Sequence, residues 1–171
     1  MNISKHQFQD IFQIDYKINW SDVTTDIKSA VDAGYNIIIL SFYLQRSGLV
    51  DAALSFEKLP SHKQESIINY AHLHGAKIMI SAGGATEHVD HMLLDTIPLD
   101  IAFSEGENYA RGAADKVNEL NLDGIDFDIE LLPQNNQPFL NGRMAQFVKG
   151  TIHGARKYLK NGDAIVTARS K

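Results

Sequence analysis

Asp126, Asp128 and Glu130 occupy every second position of Gly124-Ile125-Asp126-Phe127-Asp128-Ile129-Glu130. In a strand, side chains alternate between faces, so the three acids share one face while Ile125, Phe127 and Ile129 share the other. The apolar face has an obvious task, packing beneath helices. Successive acids lie about 6.6 Å apart at a rise of ~3.3 Å per residue. Three carboxyl groups lined up inside a sheet do not all ionise cheaply, so at least one is expected to keep its proton near neutral pH. A protonated carboxyl can donate to a leaving group, while an ionised neighbour stabilises positive charge. Glu130, the last of the row, is expected to project into a cleft at the C-terminal edge of its strand. Asp123, three residues before Asp126, falls on the opposite parity and reads as structural.

Two other readings compete. A solvated acidic face on an edge strand would give the same pattern, but the flanking alternation and the central place of this run in the β/α order argue against it. A Mg²⁺ or Ca²⁺ site is the sharper rival, since hard cations take carboxylates. An EF-hand loop is excluded, because with Asp126 as its first position Leu131 stands sixth, where glycine is required. No strand end carries a lysine with a phosphate-cradling glycine loop, as metal-assisted phosphoryl transfer would show. The acid row is therefore read as metal-free and cofactor-free.

Ser81-Ala82-Gly83-Gly84 ends the preceding apolar run. Glycines there permit close backbone approach or positive φ, which a tight turn beside the acid strand needs. Gly83 and Gly84 are assigned to the binding set, with this backbone role favoured over direct contact with a ligand. Ser81 is structural. It is no hydrolase nucleophile, because Met79 stands where a nucleophile elbow needs glycine. His88 and His91, three apart in a loop, are read as solvated rather than as metal ligands, and His72 and His74 as surface groups.

The elements around these residues follow from periodicity. Phe12, Ile14, Tyr16, Ile18 and Trp20 alternate with polar residues, as in a first strand. Ser21 offers an N-cap to a helix bearing Val23, Ile27, Ala30 and Val31, which Gly34 stops. The run 36–43 is apolar on both faces, as in a parallel sheet. Ser61 with Gln64, and Ser104 with Glu107, form capping boxes that open helices ending near Gly75 and Leu120. Strands are expected at 76–81, 124–130 and 164–168, and a helix over 142–159. Loops 44–60 and 83–103 are the long ones. Five strands alternating with four helices make an α/β chain of about five β/α units, each of roughly 30 residues. Periodicity alone leaves a doubly wound sheet and part of a barrel both open.

The 171 residues are 44% hydrophobic and 22% charged, enough for one domain with a real core. Cysteine is absent, so disulfide scaffolds, thiolate metal sites and cysteine nucleophiles are excluded. A formal charge of −5 gives no electrostatic case for nucleic acid or an anionic membrane. No apolar run approaches the ~20 residues of a membrane span. No secretory signal is seen at the N-terminus.

Asp123-Gly124-Ile125-Asp126-Phe127-Asp128-Ile129-Glu130 resembles the DGxDxDxE signature of glycoside hydrolase family 18, the chitinases and their relatives. Ser81-Ala82-Gly83-Gly84 resembles that family's SxGG motif, on the preceding strand as the family has it. The resemblance runs from about Trp20 to Ala168. It implies part of a (β/α)8 TIM barrel, acting on β-1,4-linked N-acetylglucosamine in chitin or a related glycan. Glu130 then matches the general acid and Asp128 the carboxylate that orients the N-acetyl group and stabilises an oxazolinium-type intermediate. Asp126 matches the buried partner of Asp128. The implied mechanism is substrate-assisted and retaining, which explains why no nucleophile faces the row. Tyr43 is the best placed of Phe42, Tyr43 and Trp20 to stack on a sugar, although aromatics at sheet positions are more often core.

The chain departs from the family after Thr167-Ala168-Arg169-Ser170-Lys171. The family continues with three strands that supply a tyrosine for the acetyl group and a tryptophan beneath the sugar. Neither role can be assigned here. Residues 1–171 are accordingly expected to be a single, C-terminally truncated domain with weak or absent turnover and a tendency to self-associate through exposed barrel edges. The competing expectations are a glycan-binding relative without turnover and a non-functional fragment. Compartment stays unassigned, since relatives are commonly exported.

Overall fold

A computed structural model describes residues 14–17, 22–85, 87, 98–130 and 142–170. Trp20, Ser21, His88 and His91 lie outside them. In chain order the elements are β1 (Ile14–Lys17), α1 (Val23–Asp32), β2 (Ile37–Leu44), β3 (Gly48–Leu49), α2 (Asp51–Glu57), α3 (Ser61–Leu73), β4 (Lys77–Gly83), α4 (Leu99–Leu120), β5 (Gly124–Ile129), α5 (Arg143–Tyr158) and β6 (Ile165–Ser170).

The main sheet runs β1-β2-β4-β5-β6, every neighbouring pair parallel, with the two-residue β3 antiparallel to β2. Along this path the strands follow chain order, β3 aside, with no reversal. A doubly wound sheet would reverse at a switch point, so the wall is singly wound. One face carries the large core: Ile38, Leu40, Ile78, Ile80, Ile125 and Phe127 pack beneath helices that supply Ile27, Ile67, Tyr109 and Phe147. The other face carries a small cluster of Ile37, Ile39 and Met79, joined by Ile165.

Three helix starts differ from the sequence reading. Asp22 caps α1, its carboxylate accepting from Thr25 N at 3.1 Å and from Thr25 Oγ1 at 2.6 Å. Ser61 is already inside α3, behind Pro60, and the cap carries no side-chain bond. Gln64 turns away to donate to the carbonyls of Phe56 and Glu57, closing α2. Helix α4 starts at Leu99, behind Pro98, so Ser104 and Glu107 are interior positions. Ser104 Oγ donates to the Asp100 carbonyl at 3.1 Å, and Glu107 accepts from His153 at 2.8 Å. Positions three apart share a helix face anywhere along it, so a capping-box pattern recurs away from the terminus.

The stretch 44–60 is not a plain loop, since it holds β3 and α2. Ala52, Ala53 and Phe56 of α2 are buried, but seven residues are too few to show a period. Helices α4 and α5 touch backbone to backbone. A Cβ on Gly106 would lie 2.1 Å from the Phe147 carbonyl oxygen, and one on Gly150 would lie 2.0 Å from that of Phe103.

Candidate active site

Two of the three acids sit on β5 where strand parity puts them. Asp126 and Asp128 lie on the face of β5 opposite Phe127, and they are 4% and 3% exposed. Glu130 follows the last strand residue and is half-buried. Register aligns one polar rung across four strands: Ser41, Ser81, Asp126 and Thr167. Thr167 Oγ1 donates to Asp126 Oδ1 at 2.6 Å, and Ser81 Oγ reaches Asp126 Oδ2 at 3.5 Å. Two hydroxyls from flanking strands therefore hold the Asp126 carboxylate. Ser41, next along the rung, is fully buried, and its hydroxyl has no partner among the described residues.

The Gly83–Gly84 turn closes onto this row through the main chain. Gly83 has φ +117° and Gly84 φ +89°. A Cβ on Gly83 would come within 2.1 Å of the Asp128 carbonyl oxygen. Gly84 N donates to that same oxygen at 2.8 Å. Only glycine tolerates both the left-handed backbone and the approach. The pair thus contacts the acid strand by its backbone.

Tyr43 is not on the acid face, and this corrects its assignment to substrate binding. Strict alternation puts it on the same side as Ser41. In the ladder Ser41 pairs with Ser81 and Tyr43 with Ala82, so β2 holds one extra residue, Phe42, at a register shift. A bulge of this kind re-aims the side chains beyond it. Tyr43 consequently joins the large core, 8% exposed, its hydroxyl 1.9 Å from where a Cβ on Gly112 of α4 would stand. Burial, reinforced by the charge of Glu87, raises its phenol above the usual range. Phe42, the extra residue, is half-buried with its ring against Gly84 of the glycine turn.

Asp123 lies at the other end of β5. Its carboxylate accepts from Ile78 N at 2.9 Å and Lys77 Nζ at 3.2 Å, and it pairs with His72 Nε2 at 2.9 Å. Its backbone bonds to Ile78 on one side and Ile165 on the other. His72 is thus a partner of Asp123 rather than a free surface group, and its side chain is 37% exposed.

Three residues near the row escaped the sequence reading. Thr167 was legible only as a strand position, since its partner depends on the β5–β6 register. Glu87 and Tyr109 meet at 3.1 Å, the tyrosine hydroxyl donating. One residue comes from a loop and the other from the middle of a helix, and no periodicity links them. Together with Gly83, Asp128 and Glu130 they border a cavity of ≈ 10 Å³. Among the described residues, no group of three or more His, Asp or Glu is arranged to hold a metal ion, and no helix is long and apolar enough to cross a membrane.

No protein-family model matches the chain, and no curated protein matches it in sequence. Solved structures match its fold. A GH18 chitinase from Pseudoalteromonas aurantia aligns with a TM-score of 0.64 at 21% identity, over 92% of this chain and 55% of that one. A chitinase from Bacteroides thetaiotaomicron gives 0.58 at 17% identity, over 91% of this chain and 45% of the other. A Streptomyces coelicolor protein classed as a candidate Chitinase A gives 0.56 at 18%, over 91% and 48%. The chain spans about half the length of these structures. With the strand order above, the likeness establishes an α/β fold that forms part of a (β/α)8 barrel, chitinase-like in its geometry.

Proposed function

We propose that this chain carries the acid machinery of a chitinase-type glycosidase acting on β-1,4-linked N-acetylglucosamine. One arrangement carries the reading: Asp126 and Asp128 buried on the face away from the helices, Glu130 at the strand's end, and a glycine turn bonded to Asp128 beside them. Glu130 donates a proton to the glycosidic oxygen as the bond to the leaving sugar breaks. The substrate's own acetamido oxygen attacks the anomeric carbon, so the protein supplies no nucleophile. Asp128 orients the acetamido group and stabilises the oxazolinium-type intermediate. Asp126, held by Ser81 and Thr167, supports Asp128 from below. Water then opens the intermediate with its proton passing to Glu130, and the anomeric configuration is retained.

The test is to incubate the 171-residue chain with an N-acetylglucosamine oligomer, following reducing ends and the anomer of the first product by NMR. Weak turnover giving the β-anomer, and lost in Glu130→Gln, is expected. Turnover indifferent to Glu130→Gln, or an α-anomer, overturns the reading. Binding without product assigns the chain to glycan recognition instead.

A further inference from the structure

Glu87 is outside the acid row, yet its half-buried carboxylate is where three segments at the C-terminal edge of the sheet converge. Its Oε2 accepts the backbone N–H of Gln45, just after β2, at 3.0 Å, and the Tyr109 hydroxyl at 3.1 Å. Its own N–H donates to the Gly84 carbonyl at 3.0 Å, closing a tight turn, and Gly84 N donates in turn to Asp128. A continuous run of bonds thus leads from the β2 turn and from α4 to the backbone of Asp128, two residues before Glu130. Tyr109 is a rigid anchor for that run. It is 2% exposed, with its ring 6.1 Å from that of Phe127 and 5.8 Å from that of Phe147. Burial, and then the charge of Glu87, hold its hydroxyl well above the usual tyrosine range, so it remains a donor.

Two consecutive glycines at positive φ do not hold their own conformation, because glycine has more backbone freedom than any other residue. Something outside the turn must fix it. The hydroxyl–carboxylate bond does so from the helix layer, and the Gln45 amide does so from the neighbouring loop. We propose that Glu87 and Tyr109 are positioning residues for the acid row, pinning the Gly83–Gly84 turn against Asp128 and thereby setting the direction in which Glu130 leaves β5. This inference rests on the glycosidase reading of that row.

Two measurements on the full chain test it: amide hydrogen exchange by NMR, and kcat and KM on an N-acetylglucosamine oligomer. Glu87→Ala is expected to speed exchange at Gly84 and Gln45 at least roughly tenfold while mid-β4 amides keep their rates. It is also expected to lower kcat by about tenfold or more with KM held within about twofold. Glu87→Gln keeps an acceptor oxygen and is expected to restore both to within about threefold. Tyr109→Phe, which loses the donor, should behave like Glu87→Ala. Unchanged exchange at Gly84 in Glu87→Ala overturns the proposal. So does a Gln variant as impaired as the Ala variant, or a rise in KM with kcat intact. A wild-type chain that cleaves nothing overturns the glycosidase reading instead, and exchange at Gly84 then decides the pinning alone.

Discussion

The amide of Gly84 donates to the carbonyl oxygen of Asp128 at 2.8 Å, so the glycine turn and the acid strand are joined main chain to main chain. Side-chain substitutions in the acid row leave that link in place. Substitutions that alter the turn's backbone do not.

Gly83→Ala is the direct test. The new Cβ meets the Asp128 oxygen at 2.1 Å on a backbone with φ +117°. Overlap and strain together are expected to cost about 3 kcal/mol or more. Thermal unfolding followed by circular dichroism measures this, and a loss under about 1 kcal/mol contradicts the close approach.

Phe42 and Tyr43 should respond in opposite ways. Tyr43→Leu is expected to destabilise by about 1–3 kcal/mol, since its ring fills core beside Gly112, without weakening glycan affinity in the folded fraction. Phe42→Leu should spare stability and weaken affinity. Denaturation curves paired with oligomer titrations separate the two. A Tyr43→Leu variant that is stable but binds poorly would return that ring to the cleft.

The five strands of the main sheet and the parity of the acid row are legible in the sequence because each depends on local periodicity, and the glycine turn because two adjacent glycines end the β4 run; the two-residue β3 is too short to show a period. The period of two puts Asp126 opposite Phe127 whatever the rest of the chain does. Tyr43 departs from its expected face because one extra residue in β2 resets parity beyond Ser41, and an unpaired sequence carries no register. Ser104 with Glu107 misled because an i, i+3 pair looks the same inside a helix as at its start. Glu87 was invisible because its two partners lie 42 and 22 residues away.

Asp123→Ala should destabilise the fold without touching the chemistry. It strips the buried Ile78 N–H of its carboxylate partner and leaves Lys77 and His72 without theirs. The expected loss is about 1–3 kcal/mol, with Asp123→Asn, which keeps an acceptor, losing less. Urea denaturation gives the figure. Any activity per folded molecule should be unchanged, since Asp123 lies at the far end of β5 from Glu130.

Glu107 gives stability a specific acid dependence. A hydrogen bond from His153, with Lys157 nearby, lowers its carboxyl below the ordinary value. A carboxyl with a depressed folded-state pKa contributes stability that is fully present above the unfolded value of about 4.3. That contribution is lost as pH falls through the folded value. Glu107→Gln should therefore be less stable than wild type near neutrality, and the difference should shrink below about pH 4. Urea midpoints across that range check it, and a constant difference would show that the pairing does not matter.

The supernumerary Phe42 separates two properties that regular strands keep bound together. The rungs on either side of it, Ser41 with Ser81 and Tyr43 with Ala82, are already aligned without its help. That ring can be exchanged with neither rung displaced, while the Phe42 carbonyl keeps its bond from Val50 N at 2.9 Å. The lining at the mouth of this wall is thereby free to diverge while the masonry behind it stays unchanged.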